Sequence, residues 1–163
     1  MSDFKDFLVE EAKRQQAGSS RSIARRAEWI EDVDDLLKQI TEWLKQADEG
    51  GVLTLEPTNH QIREMRNGRY EINGLRVTLG SKEVKVEPIA LFSIGSMVGD
   101  PHGTKCANGK VDLSSRWRRF MLYRQPENDA DGKRKWIIVG DEDYIGRPLD
   151  RTSFEDAMKS LLE

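Results

Sequence analysis

The sequence has a single cysteine, Cys106, among its 163 residues. One thiol excludes an intrachain disulfide, which fits a reducing compartment. No segment approaches the roughly 18 uninterrupted apolar residues of a membrane span. The opening residues, MSDFKDFLVEEAK, lack the basic start and the apolar run of a signal peptide. These absences lead to the expectation of a cytoplasmic protein with no membrane partner.

Charge is what the chain has in abundance. Charged residues make up 34% of the chain and mean hydropathy is -0.69. The formal net charge of -3 hides an uneven distribution. Residues 1–49 carry 8 basic and 12 acidic side chains, residues 50–140 carry 15 and 10, and residues 141–163 carry 3 and 7. A basic middle section can face an anionic partner. Near-cancellation of the totals favours the simpler reading, in which acidic helices lie against a basic sheet.

The dominant pattern is a long amphipathic helix, predicted from about Ser22 to Asp48 and stopped by Gly50-Gly51. Ile30, Val33, Leu37, Ile40, Leu44 and Ala47 recur at spacings of three and four. Trp29, Leu36 and Trp43 form a second line seven apart. Together they make an apolar face broader than a coiled-coil seam. A helix of this length spans about 39 Å at about 1.5 Å per residue, more than one sheet would cover. Trp29, Ile30, Val33, Leu36, Leu37, Ile40, Trp43 and Leu44 are therefore assigned to a partner, either a second copy or a larger protein. Before it, Ser2 caps a short helix from Asp3 to Ala17 bearing Phe4, Phe7, Leu8 and Ala12, and Gly18-Ser19-Ser20 breaks it.

From Val52 the period becomes alternating. Strands are predicted over Val52–Glu56, stopped by Pro57, then His60–Arg66 and Arg69–Leu79 about an Asn67-Gly68 turn. Asn73-Gly74 reads as a bulge or a further turn. Further strands follow over Lys82–Pro88, Lys110–Ser114, Arg116–Arg124 and Arg134–Val139. A capping box from Thr152 to Glu155 opens a last helix. The order gives an α+β fold: a short and a long helix, an antiparallel meander of six or seven strands, and a C-terminal helix. Residues 1–49 form a helical interaction segment and 50–163 the body.

Two regions could carry chemistry. Asp100, His102, Lys105 and Cys106 cluster in the loop Gly95–Gly109. His102 and Cys106 are four apart, but Pro101 and Gly103 oppose a helix there, and a structural zinc needs four ligands. No metal and no cofactor are expected. The loop also lacks the GK[ST] ending of a phosphate loop. In the hairpin 116–135, Arg116, Trp117, Arg118, Arg119, Tyr123, Arg124, Lys133 and Lys135 mix cations with aromatics. On a solvent-facing sheet, Trp117 and Tyr123 around Arg119 would stack on single-stranded bases. Both strand faces carry arginine, so alternation also allows these aromatics to be core. No nucleophile–base pair or carboxylate constellation is visible, which favours a non-enzymatic interaction or regulatory protein. Nucleic-acid or anion binding is the alternative.

Overall fold

The computed structural model describes residues 3–64, 68–91, 109–128, 130–141 and 145–163. The loop residues Asp100, His102, Lys105 and Cys106 lie outside them. The first element is one 45-residue helix, α1, Asp3–Ala47, about 68 Å long at about 1.5 Å per residue. The break expected at Gly18 is not there. Glycine in a helix costs only about 1 kcal/mol relative to alanine, and the ladder on both sides carries the chain across it. Ser20 turns its hydroxyl back to the Gln16 carbonyl at 3.0 Å, a bond compatible with the helix. At the other end, the Asp48 carboxylate accepts the backbone N–H groups of Val52 and Leu53, each at 2.9 Å. That cap turns the chain towards the first strand.

Seven strands follow: β1 Thr54–Glu64, β2 Gly68–Leu79, β3 Lys82–Ala90, β4 Lys110–Ser114, β5 Arg119–Asn128, β6 Arg134–Gly140 and β7 Gly146–Pro148. They pair in sequence order, each antiparallel to the next. The helix α2, Arg151–Leu162, closes the chain. The fold is therefore α+β, a meander with helices on it. No helix among the described residues is long and apolar enough to cross a membrane.

Four local expectations change. Pro57 does not end a strand, because β1 is an edge strand where a missing N–H takes no ladder bond from a neighbour. Glu64 pairs with Gly68, so three residues rather than two separate β1 from β2. Gly68 opens β2 at φ +69°. Register runs unbroken through Asn73 and Gly74, without the bulge. Gly74 is needed for close approach instead: a Cβ there would lie 2.6 Å from His60 Nε2 and from the Val86 carbonyl oxygen. The cap of α2 is Asp150, whose carboxylate accepts from Ser153 N while Ser153 Oγ accepts from Asp150 N.

One core joins α1, α2 and one face of the sheet. Val33, Ile40, Val77, Val84, Val86, Leu122 and Phe154 are fully buried in it. Trp43 of α1 meets Phe154 of α2 with ring centroids 5.4 Å apart, so the helices lie side by side. Met121, Tyr123 and Val139 form a second, smaller cluster. Alternation along β5 and β6 puts these three on the opposite face from Leu122 and Ile138.

Candidate functional site

The helix face assigned to a partner is covered by the chain's own sheet. Trp29, Val33, Leu36, Leu37, Ile40 and Leu44 are all buried, and Ile30 and Trp43 are half-buried against the same core. Covering takes place over the C-terminal half of α1, and the excess helix length lies on the N-terminal side.

A charged clamp fixes where this docking begins. Arg124 of β5 is buried, and its Nη1 donates to Asp32 of α1 at 2.6 Å. Arg134 of β6 donates to the same carboxylate at 3.1 Å and also pairs with Glu28. The Arg124 guanidinium lies 5.2 Å from the ring centre of Trp29, within cation–π range. Burial pulls the Arg124 pKa below its ordinary value, and the hydrogen bond and charge of Asp32 oppose that. Trp29 and Trp136 pack with centroids 6.1 Å apart. Gly109 passes so close that a Cβ would sit 2.3 Å from the Trp29 ring. One turn earlier, Arg26 Nη1 reaches the Arg69 carbonyl at 3.4 Å.

Before Arg26 the helix leaves the body. Phe4 is 70% exposed, Phe7 54%, Leu8 51%, Val9 50% and Ile23 55%. Phe4 and Phe7 stack on each other with centroids 6.4 Å apart. We call residues 3–25 the arm. Its apolar side chains were legible as a short helix. What sequence reading missed is that this helix and the long one are continuous, so the arm is held out from a fixed base. No apolar heptad through Gly18 signals this, since positions 11, 15, 18 and 22 are Glu, Gln, Gly and Ser.

The basic–aromatic constellation does not form one surface. Ser115 to Arg118 is a turn closed by the Ser115 N–H on the Arg118 carbonyl at 2.9 Å, so β5 begins at Arg119 and not at Arg116. Trp117 is 82% exposed on this turn, with the Arg116 guanidinium 5.0 Å from its ring centre. Arg118 Nη1 donates to Ser160 of α2 at 2.6 Å. Arg119 lies 3.7 Å from the Asp112 carboxylate. Tyr123 is buried on one face and Arg124 is buried on the other, under α1. Lys133 and Lys135 remain exposed. Burial and the Asp112 charge raise the Tyr123 pKa, with Arg119 opposing. Among the described residues, no three His, Cys, Asp or Glu side chains converge as a metal-binding group.

Comparison with known proteins finds no matching family, no matching curated protein and no matching solved structure.

Proposed function

We propose that this chain is a non-enzymatic interaction protein whose docking element is α1, with the sheet and α2 as its base. The contact surface is the arm rather than the face between Trp29 and Leu44. One observation carries the reading: Phe4, Phe7, Leu8 and Val9 are each at least half exposed on the N-terminal part of α1. Full burial of a side chain of this size is worth about 1.5–3 kcal/mol, so a partner covering several gains substantially. The clamp of Arg124, Arg134, Asp32 and Glu28 holds the helix at its root, which limits the conformational freedom lost on binding.

The test compares the full wild-type chain with a Phe4→Asp/Leu8→Asp variant. Both positions are exposed, so the variant keeps its fold. Tagged protein is recovered from its own cells, and its mass and associated proteins are measured. Association with a second copy or another protein that the variant loses supports the reading. A wild-type chain recovered alone and monomeric overturns it.

A further inference from the structure

We propose that the partner of the arm is a second copy of this chain, aligned antiparallel, with the two arms crossing near residue 13. This rests on the interaction reading above. The helix face that packs on the sheet through Trp29, Val33, Leu36 and Ile40 continues outward through positions 26, 22, 18, 15, 11, 8 and 4, with steps of three and four throughout. Such spacing keeps one seam on one side of a helix.

The arm's seam complements itself when reversed. Phe4 stands opposite position 22, a serine. Leu8 stands opposite Gly18, and Glu11 opposite Gln15. Leu8 thus meets a residue without a side chain. At Gly18 the space is open, since an added Cβ would meet nothing within 4 Å. Glu11 and Gln15 already approach at 3.5 Å along one helix, and their amide–carboxylate chemistry works equally well between helices. A parallel pair would instead crowd Phe4 on Phe4 and leave Gly18 facing Gly18.

Charge selects the same orientation. Residues 3–11 hold Asp3, Asp6, Glu10 and Glu11 with only Lys5, a net of -3. Residues 12–26 hold Lys13, Arg14, Arg21, Arg25 and Arg26 and no acid, a net of +5. Antiparallel alignment lays the acidic stretch of each copy along the basic stretch of the other, whereas parallel alignment opposes like charges. The acidic tip of one arm then ends beside the other copy's body, where Arg26 approaches Arg69 and Arg69 pairs in register with Arg63.

Cysteine placement tests this directly, with Cys106→Ser in every variant so that only introduced thiols react. Under mild oxidation, Leu8→Cys/Gly18→Cys should give covalent dimers, and Leu8→Cys alone should give none. In the antiparallel pair the two residues numbered 8 lie about 15 Å apart along the axis at about 1.5 Å per residue. A disulfide needs Cα atoms within roughly 7 Å. Sedimentation at tens of micromolar should show a dimer for the wild type and a monomer for Leu8→Asp. Crosslinking of Leu8→Cys alone overturns the orientation, and a wild-type monomer overturns the second copy as occupant. If that monomer still recruits a different protein through the arm, the interaction reading stands without this proposal. If it recruits none, both fall.

Discussion

Arg124 on β5 and Asp32 on α1 are 92 residues apart in sequence, and their side chains meet at 2.6 Å. This contact joins the long helix to the middle of the sheet. Arg124 is 2% exposed, and a buried cation without its counter-charge is strongly unfavourable. We expect Asp32→Ala to destabilise the protein by about 3–5 kcal/mol. Arg124→Met, which keeps an apolar stem in place, should cost less. In urea titrations, the double variant should lose clearly less stability than the two single losses added together. Additive losses would show that the two groups do not depend on each other.

Gly109 and Trp29 supply a second expectation. The glycine has φ +122°, and an added Cβ would enter the indole ring space. Gly109→Ala should lower stability by at least the roughly 1–3 kcal/mol typical of overpacking. Gly132→Ala is the control, since its φ is also positive but its surroundings are open. A thermal midpoint for Gly109→Ala no lower than that of Gly132→Ala would refute this packing.

The exposed and buried apolar residues should separate cleanly. Leu37 lies in the core between helix and sheet, so Leu37→Asp should abolish folding and remove the β signal in circular dichroism. A soluble, fully folded Leu37→Asp chain would contradict this core assignment. Trp117 is mostly in solvent, and Trp117→Ala should change stability by no more than about 0.5 kcal/mol. A larger loss, read by urea titration, would mean that the indole has a packing role.

The cap at Asp48 sets a pH dependence. Its hydrogen bonds from Leu53 and Val52 hold its pKa below the ordinary aspartate value. A carboxylate with a folded-state pKa below its unfolded one stabilises the fold above the unfolded value, about 4. That contribution fades as pH falls through the lowered folded pKa. Asp48→Asn should therefore lose stability at neutral pH and show a shallower decline than wild type below about pH 4. Parallel curves for the two proteins would exclude the cap as a source of acid sensitivity.

Much of the architecture was written in local patterns. Alternation at Val84 and Val86 and at Val111 and Leu113 marked strands that the structure contains, because one sheet face must be apolar. The three-four spacing from Trp29 to Leu44 marked the buried helix face for the same reason. Strand order also followed for most neighbours, since short connections join antiparallel strands, although β3 and β4 pair across a long one.

What covers that face was decided only by tertiary structure. Periodicity shows that a face must be buried, and it is equally satisfied by the chain's own sheet or by another chain. Continuity across Gly18 was likewise not local, because an intrinsic penalty of about 1 kcal/mol is small beside the cooperative ladder of the helix on either side. The split of the basic hairpin was hidden too. Arginine occurs on both faces of β5, and only the position of Asp32 on a distant helix made Arg124 a buried ion-pair partner while Arg119 stayed at the surface. The sequence by itself determined which residues had to leave water, through their period. Tertiary structure determined against what they left it, because burial depends on partners that a local pattern does not contain.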